Sequence, residues 1–282
     1  MTAGDRRVPI FYPTWFMQAA DPARCCRRVK AAGFDGASFL AGTVADARRL
    51  DRLSDANAAA LRDALAETGL GSSIHVWTDS FLEAGGARAA GELLTANVRA
   101  CVRALCGPGL PPPTVTLDPP MDWSAEPPVP LRELAEDLVS FLADLSDEYG
   151  ARGGVENWPY PSVGRPEGLA PLLKAGRGKV GVLLDAGHAH VAVSRGWCKE
   201  RSLAEFVRAL PAPIVEVHLH DNGGERDEHL MPGEGTADLK GLLDAALATG
   251  FAGPITVECD LSAPGRPGPA DGLAGIRRAY DL

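Results

Sequence analysis

The sequence has no long apolar run. No stretch of about 18 apolar residues occurs among its 282 residues, and the polar segment Met1 to Arg7 is followed by only a short apolar run. A helix that crosses a bilayer needs about 20 such residues, and a secretion signal needs an apolar segment behind its basic start. We therefore expect neither membrane insertion nor secretion, and a cytoplasmic location.

Basic residues are also scarce relative to acidic ones. Lys and Arg number 28 against 37 Asp and Glu, which gives a formal net charge of -9. Proteins that bind nucleic acid draw much of their affinity from contacts with the phosphate backbone, so this balance disfavours nucleic acid as a partner.

No C-x-x-C pair is present, and the six cysteines have no spacing typical of a zinc site. Six cysteines in a chain of this length do not form a disulfide scaffold, so we expect them to be reduced and mostly buried. A G-x-G-x-x-G motif is missing after the first predicted strand, which argues against a dinucleotide-binding doubly wound sheet.

What the sequence does contain is a regular alternation of short β-branched runs with longer amphipathic stretches, typical of repeated βα units around a parallel sheet. The predicted strands are Val8–Tyr12, Gly36–Leu40, Gly71–Trp77, Pro113–Asp118, Gly153–Asn157, Val180–Asp185, Ile214–His220 and Pro254–Glu258. Eight such units predict a (β/α)₈ TIM barrel that occupies residues 1–282 as a single domain, with the active site at the C-terminal ends of the strands.

The predicted helices fill the segments between these strands. They are Asp21–Ala32, Asp51–Thr68, Ala89–Leu105, Leu131–Tyr149, Ala237–Thr249 and Asp271–Tyr280. Most of them are followed by a glycine, the residue that best tolerates the left-handed conformation at a helix C-terminus.

Polar residues recur at alternate positions of the later strands. Val215, Val217 and Leu219 are predicted to face the helices, because successive strand residues point to opposite faces. The opposite face then carries polar side chains at or near the strand ends, namely His75, Glu156, Asp185, Glu216, His218, His220, Thr256 and Glu258. The sequence thus predicts a polar cluster inside the barrel.

Four of these residues, Glu156, Asp185, His218 and Glu258, come from consecutive strands. Each carboxylate alone is more often an ion-pair partner or a helix cap than a metal ligand, but three carboxylates buried together need compensating charge. One imidazole and three carboxylates suit a divalent cation such as Mn²⁺, Co²⁺ or Mg²⁺ and also accept Zn²⁺. We predict one metal ion bound here.

Five motifs in the C-terminal half carry a resemblance to a known superfamily. They are VEN at 155–157, LLDAGH at 183–188, VHLHDN at 217–222, DEHLMPGEG at 227–235 and GPITVE at 253–258. In this order they resemble the xylose isomerase-like TIM barrels, which include sugar phosphate isomerases and epimerases and the family-2 apurinic endonucleases.

The resemblance implies a function and roles for individual residues. Glu156, Asp185, His218 and Glu258 would bind one divalent metal, Glu156 and Glu258 would be the acid/base pair, and His188 would contact substrate. A metal that holds two adjacent oxygens of a hydroxyketone stabilises an enediolate, and two carboxylates can move the proton between faces. The implied activity is sugar isomerisation or epimerisation.

Further residues are candidates for contact with the substrate. We predict this role for His75, His220, His229 and Trp158, although His220 could instead bond to Asp221 and Trp158 could pack under its loop. Tryptophans also follow three other strands, as Trp15, Trp77 and Trp123, which suggests apolar walls around the site. The arginines in the loops that follow the strands are scattered and do not form a cluster that would bind a phosphate group. This favours an unphosphorylated carbohydrate as the small-molecule partner.

Three other functions stay open. The same enediolate could expel a hydroxyl, as in a lyase or dehydratase acting on a keto-polyol. A zinc-dependent phosphodiester hydrolase of the apurinic endonuclease type would use His75, Asp227 and His229 for further metals, but the fourth strand has no histidine. A non-catalytic carbohydrate-binding barrel would not need two bases. The sequence leaves the oligomeric state open, including a homo-oligomer.

Overall fold

Eight parallel strands close into one barrel in chain order. The structure is a computed structural model and describes residues 7–17, 21–42, 50–82, 87–120 and 129–282. The strands are β1 (Ile10–Pro13), β2 (Gly36–Ala41), β3 (Gly71–Val76), β4 (Thr114–Leu117), β5 (Arg152–Glu156), β6 (Val180–Asp185), β7 (Ile214–Leu219) and β8 (Ile255–Val257). The predicted (β/α)₈ barrel is confirmed.

Helices connect the strands on the outside of the barrel. They are α1 (Pro22–Ala31), α2 (Asp55–Thr68), α3 (Asp79–Leu82), α4 (Ala87–Leu105), α5 (Val129–Tyr149), α6 (Pro166–Leu173), α7 (Ala186–Ser194), α8 (Leu203–Ala209), α9 (Leu239–Ala248) and α10 (Pro269–Tyr280). Within the described residues no helix is long and apolar enough to cross a membrane. All six cysteines are free, and four of them are buried.

Local signals explain where these helices begin and end. The predicted helix from Asp51 starts later, at Asp55, because the Ser54 side chain caps it by accepting a hydrogen bond from the Asn57 amide. Its C-terminus is closed by Gly69, whose φ of 65° is left-handed, as the glycine rule predicts.

The seam between β1 and β8 closes the barrel and is short. Only Ile10 with Ile255 and Phe11 with Thr256 are in register there. Beyond these pairs, the Tyr12 hydroxyl accepts a hydrogen bond from the Leu261 amide at 2.9 Å and donates to the Cys259 carbonyl at 3.5 Å. A side chain thus extends the seam past the last paired residues.

The strand alternation departs from the prediction at Val215. A shift of register between β6 and β7 pairs Val182 with Ile214 but Leu183 with Glu216, so β7 contains one extra residue. Val215 packs inside the barrel over Gly154 and Gly181, where added Cβ atoms would lie 2.5 Å and 2.7 Å from its methyl groups. The prediction that Val215 faces the helices was therefore wrong, because the extra residue turns its side chain inward.

Leu219 tests the outward face of β7. Its side chain is fully buried within the hydrophobic core. Leu219→Ala should lower the free energy of unfolding by about 2 to 5 kcal/mol, because it leaves a cavity in packed surroundings. Urea unfolding measures this, with Leu93→Ala as the control, since Leu93 is 44% exposed. Equal losses in the two variants would contradict the packing of Leu219.

Candidate functional site

A cavity of about 160 Å³ opens at the C-terminal ends of the strands, where the sequence predicts the site. It is lined by Trp15, Leu40, His75, Trp77, Glu156, Trp158, His188, Asp227, His229 and Glu258. The lining therefore includes both predicted acid/base residues and four of the five predicted substrate contacts. Trp123 lies outside the described residues.

Three carboxylates at the base of the site each pair with a different imidazole. Glu156 Oε1 lies 3.0 Å from His188 Nδ1, and Glu258 Oε2 lies 2.9 Å from His218 Nδ1. Both carboxylate oxygens of Asp185 lie 3.0 Å from a ring nitrogen of the third imidazole, His220. Buried negative charge is thus compensated within the chain itself.

The four predicted metal ligands fall into overlapping groups. In each group, one potential ligand atom per residue lies within 4.8 Å of the others. The groups are His75, Glu156 and His218; Glu156, Asp185 and His188; Asp185, His220 and Glu258; and His188, His220, Asp227 and His229. No group in the described part of the chain contains all four predicted ligands at once.

These residues fit a divalent cation in their chemistry. Glu156 Oε2 and His218 Nε2 are buried and have no hydrogen-bond partner among the described residues. Unpartnered buried atoms of this kind carry a desolvation cost that coordination would offset. Carboxylate oxygens and imidazole nitrogens are donors that Mn²⁺, Co²⁺ and Zn²⁺ accept.

The pairing of opposite charges shifts several pKa values. Burial opposes charge on His218, but the Glu258 carboxylate outweighs it and raises the His218 pKa to about 10. Burial likewise opposes charge on Glu258, yet His218 holds the Glu258 pKa well below its usual range. The metal-free site therefore keeps a carboxylate and an imidazolium in contact at neutral pH.

This pair gives the metal-free protein a pH-dependent stability. The raised His218 pKa contributes stability that is complete below its unfolded value of about 6.5 and is lost as the pH rises through about 10. The free energy of unfolding in chelator should therefore fall between pH 7 and pH 10. Urea titrations across this range test it. Glu258→Gln should flatten the slope, and an equal slope in that variant would contradict the pairing.

Asp185 is fixed by its neighbours in two ways. Its amide donates to Asn157 Oδ1 at 2.8 Å, and its carbonyl accepts from Asn157 Nδ2 at 3.0 Å. Its carboxylate caps α7, because Oδ1 accepts a hydrogen bond from the His188 amide at 2.6 Å. The cap places His188 one turn into the helix, with its ring against Glu156.

Asp227 joins the site from the loop after β7. Its Oδ2 lies 3.3 Å from His188 Nε2 and 2.9 Å from His229 Nε2. The two neighbouring imidazoles overcome the effect of burial and hold the Asp227 pKa far below its usual range. Asp227 was predicted only as a metal ligand of the endonuclease alternative, through its Asp-x-His spacing, and was not assigned to the epimerase site.

The loop that carries Asp227 and His229 is held by Asp221. The Asp221 and Leu230 backbones exchange two hydrogen bonds, and the Asp221 carboxylate accepts from the amides of Asn222, Gly233 and Ala237. His229 has a φ of 48°, a left-handed conformation that a side chain adopts at some cost. The loop therefore adopts a locally strained backbone conformation at His229, and this conformation directs the side chain into the cavity.

The ends of β3 and β4 form another side of the site. His75 Nε2 lies 3.6 Å from Glu156 Oε2, and its Nδ1 lies 3.3 Å from Thr116 Oγ1. The buried Asp118 carboxylate accepts from the amide and hydroxyl of Thr78. Burial raises the Asp118 pKa well above its usual range despite these bonds. The end of β4 therefore presents Thr116 and Asp118, and no histidine, to this side of the site.

His220 lies elsewhere than the prediction placed it. It was expected at the substrate or on Asp221, but it is fully buried, does not line the cavity, and bonds to Asp185. The reason is space: residue 187 is glycine, and the His220 ring occupies the volume that a side chain there would fill.

Comparison with known proteins identifies the family. The family model described as xylose isomerase-like TIM barrel matches residues 26–279. The chain belongs to this family.

Curated relatives match over only part of their length. An uncharacterised protein of Methanocaldococcus jannaschii is 34% identical over 127 residues, which cover 43% of this chain and 41% of that protein. An uncharacterised protein of Mycobacterium leprae is 27% identical over 165 residues, covering 53% and 56%. The chain spans between about two fifths and just over half of these relatives.

Solved structures match the fold over almost the whole chain. A D-tagatose 3-epimerase-like protein aligns with a TM-score of 0.67 and 21% identity, covering 96% of each chain. The 3-keto-D-glucoside 4-epimerase of Escherichia coli aligns with a TM-score of 0.71 and 17% identity, covering 96% of this chain and 100% of that one. An L-ribulose 3-epimerase aligns at 0.69 and 17% identity, covering 98% and 95%.

Proposed function

We propose that this protein is a divalent-metal-dependent sugar isomerase or epimerase that moves a proton next to a carbonyl. The observation that carries the proposal is that Glu156 and Glu258, from strands on different sides of the barrel, line one cavity together with histidines and tryptophans. Structural neighbours that are sugar epimerases support the same reaction class.

The metal would be held by Glu156, Asp185, His218 and Glu258. A bound divalent cation would polarise the substrate carbonyl and stabilise the negative charge that develops on its oxygen. Glu258 is kept ionised by its neighbours, which is the protonation state that a general base needs. Glu156 would return a proton to the substrate from its own side of the cavity.

The remaining lining residues would bind and orient the sugar. His188 and His229 present ring nitrogens beside the two glutamates, and the carboxylates around them raise the pKa of each against the effect of burial, that of His229 to about 9. Both Nε2 atoms face Asp227, so a substrate oxygen would accept a hydrogen bond from either ring in place of Asp227. Trp15, Trp77 and Trp158 would exclude water and pack against the apolar face of the sugar.

The substrate is proposed to be unphosphorylated. Three arginines on the C-terminal loops are each paired with a glutamate: Arg195 with Glu225, Arg226 with Glu228 and Arg266 with Glu234. None of the three lines the described cavity. A neutral ketose or cyclic polyol-ketone therefore suits the site better than a sugar phosphate.

Deuterium exchange tests the reaction class before the product is known. Protein loaded with Mn²⁺ and assayed by elemental analysis is incubated in D₂O with a panel of ketoses and inososes, with and without phosphate groups. We expect deuterium to enter a carbon next to the carbonyl of an unphosphorylated compound. Metal-loaded protein that exchanges no proton on any of them would overturn the proposal.

One observation favours a second candidate, a phosphodiester hydrolase of the apurinic endonuclease type. His188, Asp227 and His229 could hold a further cation beside the first group. The missing strand-four histidine and the net charge of -9 oppose it. We expect duplex DNA with an abasic site to be neither cleaved nor tightly bound at physiological salt. Zinc-dependent incision would move this function to first place.

A further inference from the structure

His220 stands between the two halves of the candidate site. Its Nε2 lies 3.0 Å from both Asp185 carboxylate oxygens, and its Nδ1 lies 3.7 Å from Asp227 Oδ1. Its ring stacks on that of His229, with centroids 4.1 Å apart and planes inclined by 7°. The side chain is fully buried, so it contacts Asp185 on one side, Asp227 and His229 on the other, and no solvent.

The start of α7 is built around this ring. A Cβ atom on Gly187 would lie 2.0 Å from His220 Cε1 and 2.5 Å from its Nδ1. The distances are too short for any side chain, so only glycine at position 187 leaves the imidazole in place. Because Asp185 caps the same helix, the glycine, the cap and the imidazole form one packed unit.

Asp185 is consequently constrained at both ends. Asn157 fixes its backbone through two hydrogen bonds, as described above, and His220 holds its carboxylate through both oxygens. A carboxylate that ligates a metal needs such outer partners, because they set the direction of its free lone pairs.

We propose that His220 is a positioning residue: it holds the Asp185 carboxylate in its ligating orientation and supports the Asp227–His229 pair from below, without touching substrate. The inference rests on the proposed function for the metal at Asp185. The role of His220 follows from three observations together: its hydrogen bonds to Asp185, its stacking on His229 and the space that Gly187 leaves for its ring.

The first test is Mn²⁺ binding to the folded protein. The electron paramagnetic resonance signal of the free ion measures it. His220→Phe keeps the ring and removes its nitrogens, and we expect binding about 10- to 100-fold weaker. His220→Gln keeps an N–H donor and should recover most of the affinity. His190→Gln is the matched control, because His190 is also buried but bonds to Asn222.

Gly187→Ala provides an independent variant, because it displaces the His220 ring without removing any polar group. It should weaken Mn²⁺ binding in the same direction as His220→Phe, with the melting temperature recorded for every variant. Unchanged Mn²⁺ affinity in both folded variants would overturn the positioning role.

A crystal structure of metal-free His220→Phe separates this inference from the proposed function. If the wild-type protein binds no Mn²⁺, the proposed metal site is wrong. The orientation of the Asp185 carboxylate in the variant still tests the role of His220. We expect this carboxylate to rotate away from the orientation that it has in the wild-type protein. An unmoved Asp185 carboxylate would overturn the inference even then.

Discussion

Replacing Glu258 with glutamine should slow substrate proton exchange by about 10²- to 10⁴-fold, the usual contribution of a general base. Glutamine keeps the size of the side chain and one ligand oxygen, so the metal should remain. Glu156→Gln should cause a loss of the same order. The rate of deuterium entry from D₂O into the sugar identified by the screen measures both effects.

The two variants need not fail in the same way. If the glutamates serve opposite faces of the substrate, one variant should still wash out the proton within reach of its remaining carboxylate, without net epimerisation. Glu200→Gln is the control, because Glu200 is buried outside the cavity. Full turnover in both metal-loaded glutamine variants would refute the proton-transfer mechanism.

Removal of a whole ligand should have the largest effect on metal content. His218→Ala and Asp185→Ala should each weaken Mn²⁺ binding by more than about 100-fold, because even the outer partners of a ligand contribute about 10- to 100-fold. The barrel should stay folded, since both side chains lie at the polar interior and not in the layer that packs against the helices.

Metal content after dialysis, measured by elemental analysis, and the circular dichroism spectrum together test this expectation. His190→Gln again provides a matched histidine control. Wild-type metal content in both alanine variants would remove the proposed site, whereas loss of metal with loss of the folded spectrum would assign the two residues a structural role.

The sequence predicts the barrel well because its signals are local. Each strand is a short β-branched run, and helix ends such as Gly69 are marked by single residues. The alternation on β8 also places Thr256 and Glu258 inside, where Thr256 contacts Glu216 and Glu258 contacts His218. Period-two patterns need only the geometry of one strand.

The departures from prediction arise where distant segments decide the outcome. Val215 turns inward because β7 gains a residue relative to β6, and the room for it comes from Gly154 and Gly181 on other strands. No signal within β7 itself marks that register shift.

The position of His220 depends on packing in the same way. Its slot exists because Gly187, which lies on a different element, has no side chain. Asp227 reaches the cavity only because Asp221 and Leu230 fold the loop back. Spacing along the chain cannot reveal contacts of this kind.

The short seam between β1 and β8 is what encloses the site. Glu258 follows directly after β8, a strand of three residues that is tied to the first strand by two register pairs and by the Tyr12 hydroxyl. Asp185 and His218 are brought together by the pairing of β6 with β7, and Glu258 reaches His218 through the pairing of β8 with β7. The meeting of the last strand with the first then encloses these ligands in a complete barrel. A chain interrupted before β8 would therefore contain most of the donor atoms and still lack the enclosed site, so cation capture would report the completion of folding.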